Sequence, residues 1–307
     1  MRVSAISLAE INLENLSRYR ADLSGLLDTL SPDLAVLPAY SALALGLGTG
    51  AFMPGPDFGA TFYIYSADNE GWNDIFLDLH ADLAREKGLY LAAGTTVERK
   101  GNSYYHTAYC FDPAGELCCR QRQTHLSQIE REYDFSRGEV LDIFELEGPG
   151  GKPYRAGLIV GNDARHPEVG RILALRGADL VLHSGALEAG PNCWAQAAGM
   201  WSQVQQNQFF AVEAQLCGRM EGLPFEAASA VLAPCEITPG KSGYLARGYP
   251  QTPAVAAGLD EEARQEIKNN YPVLELLNRG AFSDLVNFYN DPEEDRETER
   301  MYGFKRY

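Results

Sequence analysis

The 307-residue sequence predicts an α/β protein in which two sheets are covered by helices. Three observations predict it. Apolar stripes at helical spacing recur along the whole chain, and short apolar runs of strand length lie between them. From residue 89 to residue 160 strand-like segments follow one another through tight turns, so strands outnumber what one doubly wound sheet needs.

The chain opens as strand, helix, strand. Residues 3–8 are a short apolar run, and Leu13, Leu16, Tyr19, Leu23, Leu26, Leu27 and Leu30 place a helix over 11–30. Residues 33–37 then form a compact strand stopped by Pro38. Trp72, Ile75, Phe76, Leu79 and Leu83 make the next helical stripe, with Gly88 as its stop signal. His80 on this segment reads as an ordinary helix-face residue and not as a ligand. Strands are expected at 89–97 and 104–111, after which Asp112-Pro113-Ala114-Gly115 turns the chain into a hairpin partner at 116–123. Two more, at 140–146 and 155–160, flank a glycine-rich turn at 148–151. A helix near 168–176 leads to a strand at 179–183. Trp194, Ala197, Ala198, Trp201 and Val204 mark a helix before the strand 209–216. Strands at 228–233 and 243–247 come last, and Asp260 caps a short final helix.

Charge and cysteine usage bound the function. Lysine plus arginine number 26 and aspartate plus glutamate 42, so the formal charge is 26 − 42 = −16. Nucleic acid is not an expected partner, because phosphate binding needs a basic face. The segment 291–300 carries six acids and two arginines, net −4, which leaves −12 spread over the rest. The six cysteines (Cys110, Cys118, Cys119, Cys193, Cys217, Cys235) contain no Cys-x-x-Cys pair and read as reduced apolar fillers, not as a disulfide framework or a zinc site. The run at 3–8 is too short for a signal peptide, and the apolar stretch 34–53 is broken by Pro38, Ser41 and glycines. A cytoplasmic protein without membrane contact is expected.

Three segments carry more than packing. They are Asp33-Leu34-Ala35-Val36-Leu37-Pro38-Ala39-Tyr40; Arg122-Gln123-Thr124-His125-Leu126 with Ile129-Glu130-Arg131-Glu132 behind it; and Gly157-Leu158-Ile159-Val160-Gly161-Asn162-Asp163-Ala164-Arg165-His166-Pro167. In this order and at these separations, and with Gln205-Gln206-Asn207-Gln208-Phe209-Phe210 downstream, they resemble the nitrilase superfamily of carbon–nitrogen hydrolases over roughly residues 1–280. The resemblance implies a four-layer α-β-β-α sandwich. It also implies hydrolysis of nitriles, amides or related C–N bonds through a cysteine thioester, assisted by a glutamate base and a lysine. Residues 1–280 are expected to form one such domain. Residues 281–307, with Phe288, Tyr289, Tyr302, Phe304 and Tyr307, are expected to form an extension packing on a neighbouring subunit of a homodimer or higher homo-oligomer.

The resemblance places the glutamate at Ala39, the lysine at Gln123 and the cysteine at Gly161. No lysine lies near Gln123 in the sequence, and Cys118 and Cys119 sit on the strand leading to it, where at most one is expected to face inward. Cys193, in the loop after His183, has no oriented base legible beside it. Thiol-dependent hydrolysis is therefore not expected. What survives is Glu130, which matches the family's auxiliary glutamate, and an elbow at Asp163, Arg165 and Pro167. Glu130, Asp163, His166 and His183 would make an acid/base or metal cluster if they met; the plainer reading is a braced elbow with locally bonded histidines. No paired-ligand spacing supports a metal, and no cofactor is expected.

The expected ligand site is Ala39, Tyr40, Gln123, Glu130, Gly161, Asn162, His166 and His183, suited to a small neutral or cationic amide or amine. Two alternatives stand beside it. One is an amide hydrolase of altered mechanism working through Glu130 or a histidine. The other is a structural subunit that assembles with a partner.

Overall fold

A computed structural model describes residues 1–67, 69–188, 193–283 and 286, with backbone alone at Glu70, Cys193 and Trp194. The first half contains β1 (Arg2–Ile6), α1 (Leu16–Leu30), β2 (Leu34–Val36), α2 (Ser41–Thr49), α3 (Phe58–Ala67), α4 (Glu70–Lys87), β3 (Tyr90–Lys100), β4 (Ser103–Phe111), β5 (Leu117–Arg122) and α5 (Gln128–Glu132). The second contains β6 (Ile143–Glu147), β7 (Pro153–Val160), α6 (Pro167–Leu175), β8 (Leu180–Gly185), α7 (Cys193–Gln196), α8 (Ser202–Asn207), β9 (Phe210–Gln215), β10 (Cys217–Met220), β11 (Leu223–Glu226), β12 (Ala230–Leu232), β13 (Tyr244–Arg247), β14 (Ala254–Gly258) and α9 (Glu261–Asn270).

Among the described residues the strands pair into two six-stranded mixed sheets, ordered β14-β1-β2-β3-β4-β5 and β13-β12-β9-β8-β7-β6, with the β10–β11 hairpin apart. Within the first sheet β1, β2 and β3 run parallel; within the second β7, β8 and β9 do. Strand alternation divides the apolar residues between two cores. Val3, Ala5, Leu34, Val36, Leu158, Val160, Leu182 and Val212 fill the space between the sheets. Ile6, Ala35 and Leu37, one residue out of phase, pack against Tyr19, Leu23 and Leu27 of α1 and Phe76 and Leu83 of α4. On the far side, Gly157 of β7 leaves the room that Leu173 of α6 occupies. The result is helices, sheet, sheet, helices: the four-layer sandwich. Each fully buried aliphatic side chain in these cores is worth about 1.5–3 kcal/mol.

Several expectations shift for local reasons. The first helix begins at Leu16, not at residue 11, because Asn12 Oδ1 accepts the N–H groups of Glu14 and Asn15 and closes a turn. Asn15 Oδ1 then caps the helix by accepting Arg18 N–H at 3.1 Å. Helices α2 and α3 lie where no helix was expected: α2 is buried over most of its length and shows no polar face, and α3 is rich in aromatic residues. The helix expected around Trp194–Val204 is broken at Gly199, whose backbone (φ −90°, ψ −121°) separates α7 from α8. Cys119 lies in the inter-sheet core and Cys118 also packs against it, because a bulge beside Cys110 breaks strict alternation. Burial, with Cys118 beside it, pushes the Cys119 thiol up to about 12. His80 is fully buried; its Nε2 meets Tyr19 Oη at 2.8 Å and its Nδ1 meets Phe76 O at 2.7 Å.

Met1–Asn270 form one compact unit and Tyr271–Tyr307 a second. Of the second unit, the described residues include a short turn at Arg279–Phe282. The extension expected at 281–307 lies almost entirely outside the described residues. No helix among the described residues is long and apolar enough to cross a membrane.

Candidate functional site

A cavity of about 650 Å³ opens where the first-sheet and second-sheet strands end, lined by Ala39 after β2, Gln123 after β5, Gly161 after β7, His183 on β8 and Glu213 on β9. Functional groups gather at strand ends in α/β folds because the chain there leaves the sheet ladder and its side chains become free to converge.

Each bend is held by a backbone contact. The Ala39 N–H donates to Gly185 O at 3.1 Å, tying the end of β2 to the end of β8. Tyr40 follows in a left-handed conformation (φ 59°) and its N–H donates to Thr95 Oγ1 at 2.8 Å. Its ring stacks on His106 at 4.9 Å and meets Phe58 edge-on at 5.2 Å. Gly161 turns the chain out of β7 at φ 47°, a conformation that favours glycine. Asp163, fully buried, then accepts the backbone N–H of Thr124 at 3.0 Å, its hydroxyl at 2.9 Å and the His125 N–H at 2.6 Å. This carboxylate pins the segment after β5 to the segment after β7.

One polar cluster joins β3, β4, β5 and α5. Thr95 Oγ1 and His106 Nε2 lie 2.6 Å apart, and His106 Nδ1 meets Glu130 Oε1 at 2.6 Å. Glu130 Oε2 accepts the Ser127 N–H and Gln123 Nε2, each at 2.6 Å. Ser127 and Glu130 also form a reciprocal capping box that starts α5. Burial alone would raise the Glu130 carboxyl, yet the bonds from His106 and Ser127 hold it below its ordinary value.

These contacts fix the Gln123 amide. Its Nε2 donates to Glu130 Oε2 and to His125 O at 2.8 Å, both acceptors, so Oε1 must face the other way. Oε1 is buried without a hydrogen-bond partner and stands 2.8 Å from the point where a Cβ on Gly161 would be.

A second cluster joins β8, β9 and α7. His183 and Glu213 are register partners on adjacent parallel strands, with Nδ1 3.3 Å from Glu213 Oε1. That approach is close enough for a charge contact but is not aligned as a hydrogen bond, and Nδ1 remains unbonded. His183 Nε2 meets Gly161 O at 3.1 Å. Glu213 accepts Gln196 Nε2 at 3.1 Å and Gln215 Nε2 at 2.8 Å.

Seven of the eight residues expected at the site line the cavity: Ala39, Tyr40, Gln123, Glu130, Gly161, Asn162 and His183. His166 is not among the described lining residues. It stacks on His125 with ring centroids 3.8 Å apart, and burial, with His125 beside it, lowers its pKa. Glu130, Asp163, His166 and His183 therefore do not form one cluster; each belongs to a local network. Among the described residues no three His, Cys, Asp or Glu side chains are placed to hold a metal ion. Arg165 is exposed at the cavity wall. No cysteine is among the described lining residues, and the Cys193 side chain lies outside what is described.

Sequence reasoning missed His106, Gln196, Glu213 and Gln215. A signal existed for Glu213: a lone carboxylate within the apolar run Phe209-Phe210-Ala211-Val212-Glu213-Ala214 must be buried, and buried carboxylates need partners.

The comparisons agree with this architecture. Residues 39–237 match the family model for carbon-nitrogen hydrolase. The omega-amidase NIT2-B of Xenopus laevis is 26% identical over 203 residues, covering 64% of this chain and 70% of that protein. The matched stretches span between 37% and 70% of the length of such curated relatives. Among solved structures, Nit3 of Saccharomyces cerevisiae, a member of the nitrilase superfamily, superposes with a TM-score of 0.70 at 21% identity, covering 91% of this chain and 96% of that one. An amidase from Nesterenkonia, seen with an acetamide moiety added to its active-site cysteine, superposes with a TM-score of 0.68 at 22% identity, covering 88% of this chain and 96% of that one. The fold, the order of the motifs and the family match lead to one conclusion: this chain belongs to the carbon–nitrogen hydrolase family.

Proposed function

We propose that this chain keeps the carbon–nitrogen hydrolase fold without thiol-dependent hydrolysis, and that its cavity binds a small neutral or cationic amide- or amine-like ligand. The observation that carries the reading is Gly161. The position where the resemblance puts the nucleophile has no side chain, and the nearest atom to its absent Cβ is Gln123 Oε1 at 2.8 Å. Acyl transfer through a thioester needs a nucleophile, a base beside it and a donor for the developing oxyanion. Ala39 supplies no base, and Gln123 turns an acceptor, not a donor, toward the same place.

Glu130 does not replace the base. Its oxygens are engaged by His106, Ser127 and Gln123, and although burial raises its pKa, the bonds from His106 and Ser127 lower it further, which makes it a weak proton acceptor. His183 has no thiol beside it to activate, because its Nε2 meets the backbone carbonyl of Gly161, a residue without a side chain. The charge of the cavity favours a neutral or cationic ligand: Glu130, Glu132, Glu188 and Glu213 line it, against Arg165 as the only lysine or arginine among the described lining residues.

The test is ammonia release from a panel of small amides and dicarboxylic acid monoamides. No release above the protein-free control is expected. Release abolished by a thiol alkylator would restore the cysteine mechanism, and release resistant to it would establish the altered one.

A further inference from the structure

The two polar clusters differ in which hydrogen-bonding groups they leave available, and that difference narrows the ligand class; the argument rests on the binding role proposed above. Gln123 is 2% exposed and its Oε1 has no partner. The bonds of Nε2 to two acceptors forbid flipping the amide to offer an N–H instead. From the Gly161 Cβ position the next atoms are Gln123 Cδ at 3.7 Å and His106 Cε1 at 3.9 Å, so Oε1 is turned toward the side of Gly161 that carries no side chain. A buried acceptor left unpaired is costly, and a ligand N–H removes that cost.

Glu213 supplies the second half. It is 3% exposed and lines the same cavity, and its hydrogen-bond partners among the described residues are the neutral amides of Gln196 and Gln215. No lysine or arginine among the described residues pairs with it; its one ion-pair contact is His183 Nδ1, 3.3 Å away and not hydrogen-bonded. A carboxylate taken out of water calls for a compensating positive charge. A carboxamide would bring a carbonyl as well as an N–H. Among the lining amides, Gln123 Nε2 is engaged by Glu130 and His125, Gln196 Nε2 by Glu213 and Ala228, and one of the two Gln215 N–H groups by Glu213, so few amide donors are left for that carbonyl. An ammonium ion brings donors alone and meets acceptors.

We propose that the cavity is a site for a small primary ammonium ion, whose N–H groups are accepted by Gln123 Oε1 and whose charge is balanced by Glu213. The body of the amine lies against the aromatic wall of Tyr40, Phe58 and Phe225.

Ligand-observed NMR titration of the full chain with butylammonium chloride, butyramide and sodium butyrate tests this. The expected order is butylammonium at least about tenfold tighter than butyramide, with butyrate weakest. Glu213→Gln, which keeps the shape and removes the charge, is expected to abolish that preference. The wild-type ratio stands as the test if that variant fails to fold, as judged by circular dichroism. Butyramide binding as tightly as butylammonium overturns the ammonium assignment and leaves the binding role intact. Butyrate binding alone, or conversion of butyramide to butyrate, overturns both. Absence of binding by all three at tens of millimolar overturns the ammonium assignment.

Discussion

The cavity is flanked by two histidine–glutamate pairs that differ in closure. His106 and Glu130 meet at 2.6 Å, and the remaining carboxylate oxygen takes two more donors, one of them the backbone of its own helix cap. His183 and Glu213 stand at 3.3 Å on paired strands without a hydrogen bond between them. Both carboxylates are almost fully buried. Burial therefore does not separate a structural carboxylate from an available one; the count of engaged donors does. The first pair holds the backbone that carries Gln123, and the second is left with capacity for a ligand.

The largest expected effect breaks the first pair. Glu130→Ala removes three acceptor contacts from a buried site and is expected to lower the unfolding free energy by about 3–5 kcal/mol. Glu213→Gln keeps an acceptor for one of its two glutamine neighbours and turns an amide N–H group toward the other, and is expected to cost about 1–2 kcal/mol without ligand. Urea unfolding of both variants measures the gap, and equal costs would erase the distinction between the pairs.

The next effect is on pH dependence. The Glu130 carboxyl is held below its ordinary value of 4.5 in the folded chain. Its stabilisation is thus complete above that value and is lost as pH falls through the lower, folded one. Urea midpoints between neutral pH and mild acid should fall more steeply for the wild type than for Glu130→Gln. Parallel profiles would show that the carboxylate contributes nothing as a charge.

A smaller effect is expected at the elbow. Gly161→Ala places a Cβ on a left-handed residue 2.8 Å from Gln123 Oε1, and should cost about 1–2 kcal/mol. It should also weaken butylammonium binding, since the methyl crowds Gln123 Oε1, the acceptor assigned to the ligand. The smallest belongs to His166, which stacks on His125 away from the cavity lining. His166→Ala should change stability by about 1 kcal/mol or less and leave ligand affinity unaltered. A tenfold loss of affinity there would return His166 to the site.

Much of this was legible in the residues because it rests on local pattern. Strand alternation and the stripes of α1 and α4 locate the sheets and one helical layer, and three motifs bring Ala39, Gln123 and Gly161 to one cavity. Helices α2 and α3 were not legible, since a helix buried on most sides carries no amphipathic period. Helix α5 had a signal that went unread, the Ser127-x-x-Glu130 capping box. His106 and Glu213 reach the cavity through strand register, which a single sequence does not print. The orientation of the Gln123 amide depends on two partners, Glu130 and His125, that only the folded chain places.

The central claim is that no thiol in this chain carries an acyl group. Acid-quenched intact-mass spectrometry after incubation with a small amide tests it most directly. The unmodified mass is the predicted result. An acyl adduct on any cysteine would contradict it, and one on Cys193 would name that residue as the nucleophile.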